Sequence, residues 1–177
     1  MDLTVHCRVL TPTQRLRYSP GSLLIVVSAS PAERDRFLDR LIEDRACLLS
    51  LQKVRGLLRG RVADEELDAR AQELLEAAVA KRLQNRETVV LAAETLGPGE
   101  RERFLRIAAA LRRPRHLIML ETAREQVPEE ERVALNALRR ALDAGELGRE
   151  GVQTALRLGG GSAAEVKRIV FRSLPRE

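Results

Sequence analysis

The chain has no tryptophan, and its one tyrosine and three phenylalanines leave aromatics at 2% of 177 residues. A core with so few rings has to be built from Leu, Val, Ile and Ala. Tyr18, Phe37, Phe104 and Phe171 are also too few and too scattered to form a platform on which nucleic-acid bases stack. Cysteine is almost as scarce. Cys7 and Cys47 sit in apolar runs without metal-ligand spacing or a nearby His pair, so they read as small buried hydrophobes rather than a zinc site or a disulfide framework. No Ser–His–Asp order or Cys–His pair is recognisable around His6 or His116. No apolar run is long enough to span a bilayer. The segment Met1–Arg8 alternates and carries Asp2, unlike a signal peptide. The expected compartment is the cytoplasm, with no membrane partner.

Lysine occurs only at Lys53, Lys81 and Lys167, so the positive charge is carried by arginine. The net charge is +5 and the pI about 10.0. Arginine favours bidentate contact with phosphate or carboxylate. A modest charge on a mixed surface is weak support for nucleic acid, and an Arg-, Ala- and Leu-rich composition better suits a GC-rich bacterial genome. The length fits one domain over residues 1–177.

Apolar patterning predicts an α/β fold. Leu3, Val5 and Cys7 alternate with polar residues as in a half-exposed strand, and Ser19-Pro20-Gly21 is a turn signal, making 1–22 an N-terminal strand and turn. Leu23–Val27, Ala46–Leu51, Thr88–Ala92 and Leu117–Leu120 are apolar runs of the kind found in strands buried on both faces. Helices are predicted from Pro31 to about Asp44, around Val54–Leu58, from Asp64 to about Leu83 with Leu74 and Leu75 inward, from Gly97 to Pro114, from Pro128 to Gly145 with Val133 and Leu135 inward, and over Gly148–Leu158. Gly159-Gly160-Gly161-Ser162 reads as a flexible connection without a preceding buried strand, and Ile169–Phe171 as a last strand. Strands alternating with helices give a mainly parallel sheet flanked by helices, a three-layer sandwich.

A buried strand, a tight turn and a helix near the N-terminus is the setting of a phosphate-binding loop, and Leu23–Leu38 fills it. With Ser50–Leu58, Thr88–Leu96, Leu117–Thr122 and Ala134–Arg139 following in order, the chain resembles the P-loop kinases of the polynucleotide-kinase type over nearly its whole length. That resemblance implies ATP and Mg²⁺ as cofactors, a 5′-hydroxyl nucleic-acid substrate, and lid-like helices over 128–160. A Walker A loop reads G-x-x-x-x-G-K-[ST]: its glycines let backbone N–H groups close on the phosphates, its Lys meets them, and its hydroxyl holds Mg²⁺. The matching positions run Ser28 to Asp35. Ser28 and Glu33 replace the glycines, Arg34 the Lys, and Asp35 the Ser or Thr, with Ser30 inside the loop. Two carboxylates then stand where a polyanion would sit. A salt bridge in or near this turn is the expected fate of Arg34.

The other positions that the resemblance implies are also changed. Gln52 stands where an acid would activate the acceptor hydroxyl, and Gln is no general base at neutral pH. Ala92 stands where the third-strand motif ends in Asp. Asn136 and Arg139 remain of the lid pattern, Leu135 replaces its first Arg, and Arg140 lies adjacent. The expectation is a domain that has lost phosphotransfer, binds no cofactor, has no catalytic or metal residues, and acts through a protein partner or a second copy of itself. Two alternatives stand beside it. One is a nucleic-acid-binding protein using Arg112, Arg113 and Arg115 with the retained Arg139 and Arg140. Against it, cations at Arg112–His116 also suit a helix C-terminus, as Glu129–Glu131 suit an N-terminus. The other is an active kinase using Arg34 on phosphate and Glu94 or Glu121 on Mg²⁺.

Overall fold

A computed structural model describes residues 2–172. Its elements run β1 (Arg8–Leu10), β2 (Arg15–Tyr18), β3 (Leu23–Ser28), α1 (Pro31–Leu41), β4 (Leu48–Ser50), α2 (Leu51–Leu58), α3 (Leu67–Gln84), β5 (Val89–Ala92), α4 (Pro98–Ala110), β6 (Arg115–Leu120), α5 (Glu129–Asp143), β7 (Thr154–Leu158), α6 (Gly161–Glu165) and β8 (Arg168–Phe171). A six-stranded sheet has the order β1-β7-β6-β3-β5-β4, with every pair parallel. A second, two-stranded parallel sheet pairs β2 with β8.

The central strand β3 has no polar residue before Ser28 because both of its faces are covered. Side chains alternate across it. Leu23, Ile25 and Val27 pack with Val54 of α2, Leu75 and Val79 of α3, Phe104 of α4 and Leu138 of α5. Leu24 and Val26 pack with Phe37 and Leu38 of α1 and with Leu16, Tyr18 and Ile169 of the β2–β8 pair. The fold is therefore α/β in three layers: four helices, the parallel sheet, and a mixed layer of α1 and the small sheet. Phe37 and Phe104 are both core residues, and both cysteines are buried and free. Among the described residues no helix is long and apolar enough to cross a membrane.

Several expectations are corrected. Leu3, Val5 and Cys7 do not form a strand. The first strand starts at Arg8, and the preceding segment runs over the 146–151 turn, where the Val5 N–H donates to the Gly148 carbonyl at 2.8 Å. A Cβ on Gly148 would lie 2.1 Å from the Val5 carbonyl oxygen, so glycine is what permits this crossing. The expected N-terminal strand and turn over 1–22 instead holds two strands, β1 and β2.

The largest correction concerns Gly148–Leu158, which is not helical: a 3-10 turn over Glu146–Glu150 leads into β7. Thr154-Ala155-Leu156-Arg157-Leu158 carries good helix formers, but its slot between β1 and β6 overrides that preference. The expected lid-like helices over 128–160 therefore reduce to α5 alone. Gly159–Ser162 does follow a buried strand and opens α6. Finally, Val133 is 78% exposed and Leu74 43% exposed. The inward stripes are Leu135–Leu138–Leu142 in α5 and Ala71–Leu75–Val79–Leu83 in α3.

Candidate functional site at the carboxyl edge of the sheet

Because the main sheet is parallel, the C-terminal ends of β3, β4, β5, β6 and β7 share one edge. The chain leaves β3 for α1 on one face and leaves β6 for α5 on the other. The crevice between such diverging connections is where doubly wound sheets bind ligands.

The connection from β3 to α1 is only Ala29 and Ser30. Its polar groups are turned on itself. Ser28 Oγ accepts from the Ser30 N–H at 3.1 Å, and Ser30 caps α1 by accepting from the Glu33 N–H at 3.3 Å. The Arg34 N–H donates to the Ser30 carbonyl at 3.0 Å. An anion-binding nest needs alternating right- and left-handed residues. Among the described residues positive φ occurs at Arg86, Arg112 and five glycines, none of them between Ser28 and Asp35.

Arg34 turns inward. Its side chain is 5% exposed, with one guanidinium nitrogen donating to the Ala93 carbonyl and Nε and Nη2 donating to Asp35 Oδ1 at 3.1 and 3.0 Å. The salt bridge expected near this turn therefore forms within α1. Arg34 and Asp35 line a depression of about 200 Å³ at the ends of β4 and β5, with Gln52, Lys53 and Ala92 alongside. Asp39 is the further carboxylate there, and it pairs with Arg45.

The neighbouring carboxylates are engaged. Glu94 pairs with Arg55, which also donates to Asp68 at 2.8 Å. The Glu94 N–H donates to Glu100 at 2.7 Å. Burial pushes the Glu100 carboxyl above its usual range, with the nearby Glu94 charge adding to the effect, while N–H groups of Glu94 and Thr95 oppose it. At the end of β6, Glu121 accepts from Arg139 Nε at 2.7 Å and lies 3.0 Å from Arg157 Nε. Arg157 also meets Asp143 at 2.8 Å. Asn136 Oδ1 accepts from Arg139 at 3.1 Å, so these two are joined to each other and to Glu121. Arg140 is elsewhere, beside Asp143 and Glu146 on an open surface.

Arg112, Arg113 and Arg115 lie at the opposite, amino edge, roughly 20 Å away by the rise of six strand residues. Arg113 Nε donates to the Gly21 carbonyl at 2.7 Å, and Arg115 Nε to the Gly151 carbonyl at 2.7 Å. Both guanidiniums tie loops together. The structure brings together Ser28, Ser30, Glu33, Arg34 and Asp35, sets Gln52 and Ala92 beside them, and separates all seven from Arg112, Arg113, Arg115 and Arg140. Among the described residues no three His, Cys, Asp or Glu side chains group to hold a metal ion.

Sequence reasoning missed Arg55, Glu100, Thr122 and Arg157. Only Glu100 carried a signal, an acid just inside a helix start where it reaches back to free N–H groups. Arg157 was hidden by reading β7 as helix. Neither protein-family models nor curated proteins give a match to this chain.

Proposed function

We propose that this protein is a phosphotransfer-incompetent relative of P-loop kinases, an interaction or regulatory module built on that scaffold. The observation that carries this reading is the closed corner between β3 and α1. Two residues join strand to helix, the Ser30 N–H donates to Ser28 and the Glu33 N–H to Ser30, and the one cation there is buried against Ala93 and Asp35. A triphosphate would need freed N–H groups, a left-handed backbone and an outward cation. It would also meet the half-exposed Asp35 carboxylate. Gln52 supplies no base, and Glu94 and Glu121 are each held by arginines rather than left open for Mg²⁺.

The alternative of nucleic-acid binding loses its nearest support, because Arg113 and Arg115 donate to backbone carbonyls. Excess Mg-ATP is expected to leave the melting temperature unchanged, since only a ligand that binds the folded state raises it. Phosphorylation of a 5′-hydroxyl oligonucleotide is expected to equal that of a Ser28→Ala/Arg34→Ala double variant. ATP-dependent stabilisation, or transfer above that variant, would overturn the reading. Steeply salt-dependent oligonucleotide binding without transfer would favour the alternative.

A further inference from the structure

On the other side of α1 from Arg34 and Asp35 lies a second cleft, between α1, the end of β6 and α6, of about 630 Å³ against about 200 Å³ for that depression. That volume falls in the range of sites that hold small organic molecules, roughly 300–1,000 Å³. Phe37 and Leu120 line it with Ala163 and Ala164, so much of its wall is apolar. It adjoins the crevice where the connections from β3 and β6 diverge.

The charges around it do not cancel. Glu121 and Asp143 are balanced by Arg139 and Arg157, two carboxylates against two guanidiniums in one network. Arg40 donates to the Val166 carbonyl at 2.6 Å and the Ala163 carbonyl at 3.0 Å, neutral partners that leave its charge in place. Arg36 faces the cleft without an ion-pair partner among the described residues, and so does Glu33 one turn earlier. Two cations against one carboxylate leave a net charge of +1. An independent observation comes from Thr122 on the cleft wall. It is 9% exposed, and its Oγ1 has no hydrogen-bond partner among the described residues. Buried hydroxyls are normally paired, and one left over beside a cleft marks a place for a polar ligand atom.

We propose that this cleft binds a small organic anion: a carboxylate or phosphate monoester whose charged end meets Arg36 and Thr122 and whose apolar body lies on Phe37, Leu120 and the two alanines. The ligand contacts proposed here, Arg36, Thr122, Phe37, Leu120 and the two alanines, include none of the side chains that close the β3–α1 corner, so the site stands or falls separately from the loss of phosphotransfer.

The test is an NMR titration of the ¹⁵N-labelled full chain with hexanoate and with phenyl phosphate. Hexanol serves as the uncharged control and inorganic phosphate as the control without an apolar body. Saturable shifts are expected at the Thr122, Gly160, Ala163 and Ala164 amides with one or both organic anions, and the tighter of the two identifies the headgroup. Arg36→Ala and Thr122→Val are each expected to weaken binding about tenfold, the scale of one lost charge-assisted or buried hydrogen bond. Arg36 is exposed, so its variant keeps the fold even if Thr122→Val disturbs it. The proposal is overturned if neither organic anion shifts these amides by about 10 mM, a threshold below even weak specific binding. It is equally overturned if hexanol or inorganic phosphate binds as well as they do, or if Arg36→Ala leaves the affinity unchanged.

Discussion

The two edges of the parallel sheet use arginine in opposite ways. At the amino edge, Arg113 and Arg115 reach across to the carbonyls of Gly21 and Gly151 and fasten loops to the ends of β3 and β7. At the carboxyl edge, Arg55, Arg139 and Arg157 pair with carboxylates, Arg34 does so with Asp35 and a carbonyl, and Arg36 is left facing a cleft. A net charge of +5 therefore does not become a basic groove. Most of the cations near either edge are structural, and their number in the sequence overstates what a polyanion would meet.

The backbone differs between the edges as well. The strand-to-helix corner at Ala29–Ser30 has no left-handed residue. At the amino edge, two helix-to-strand corners place arginine in the left-handed region, Arg86 at φ 60° and Arg112 at φ 56°. The carboxyl corner is closed without strain, and the amino corners hold a strained residue at each helix end.

The largest expected effect that separates the edges lies under the amino one. His116, the second residue of β6, is buried against Tyr18, with ring centroids 4.8 Å apart, and its Nδ1 is 2.7 Å from Thr154 Oγ1. Burial, helped by Arg115 and Arg8, lowers its pKa from 6.5 to about 4. The folded state therefore refuses a proton that the unfolded chain accepts. Above pH 6.5 neither state carries it and its contribution to stability is whole. As the pH falls from 6.5 to about 4 the unfolded state gains the proton first, and stability drops by about 3 kcal/mol. Urea unfolding across that window should show the fall, and a His116→Gln variant should flatten it. An unchanged slope in the variant would mean that other groups cause the acid sensitivity.

At the carboxyl edge the sharper test compares two arginines two residues apart on α1. Arg34→Leu removes the donor to the buried Ala93 carbonyl and is expected to cost about 2 kcal/mol, the penalty of an unpaired buried acceptor offset by apolar replacement. Arg36→Ala is expected to stay within about 0.5 kcal/mol of the parent, as surface changes usually do. Equal losses measured by urea unfolding would erase the distinction between a structural cation and a free one. A gain of Mg-ATP binding in Arg34→Lys would show that the corner opens more readily than its hydrogen bonds imply.

How much of this was legible depended on whether a segment's pattern or its neighbours decided its structure. The runs Leu23–Val27, Thr88–Ala92 and Leu117–Leu120 are short, apolar and bounded by turn or polar residues, which favours strands covered on both faces, and β3, β5 and β6 follow them closely. Proline suits a first helical turn, and Pro31 and Pro98 open α1 and α4. By contrast, Leu156 and Leu158 are equally good on a helix or a strand, and only the gap between β1 and β6 selects the strand. That one misreading hid α6, and with it the α1–α6 cleft. The residue identities at the β3–α1 corner could be read directly, but the inward turn of Arg34 depends on the Ala93 carbonyl, which belongs to the loop after β5.

The smallest expected effect tests the amino corners themselves. After α4, the Arg113 N–H donates to the Ala108 carbonyl at 2.8 Å and the Arg112 N–H to the Ala109 carbonyl at 3.0 Å. These paired bonds are the Schellman ending, which places its left-handed residue at Arg112, a position that glycine usually fills. After α3 the Glu87 and Arg86 N–H groups bond the Arg82 and Leu83 carbonyls in the same way. A side chain in that region costs about 1 kcal/mol, and glycine removes most of it while making the unfolded chain more flexible. Arg112→Gly is therefore expected to stabilise the protein by about 0.5 kcal/mol. Arg112 makes no side-chain hydrogen bond or ion pair with another described residue, so the substitution removes no tether. Arg113→Gly, one position on, would instead release the Gly21 and Pro20 carbonyls and should destabilise. If both variants lost stability in urea, the left-handed arginine would be held by contacts beyond its own helix end, and the amino edge would be less strained than its dihedral angles indicate.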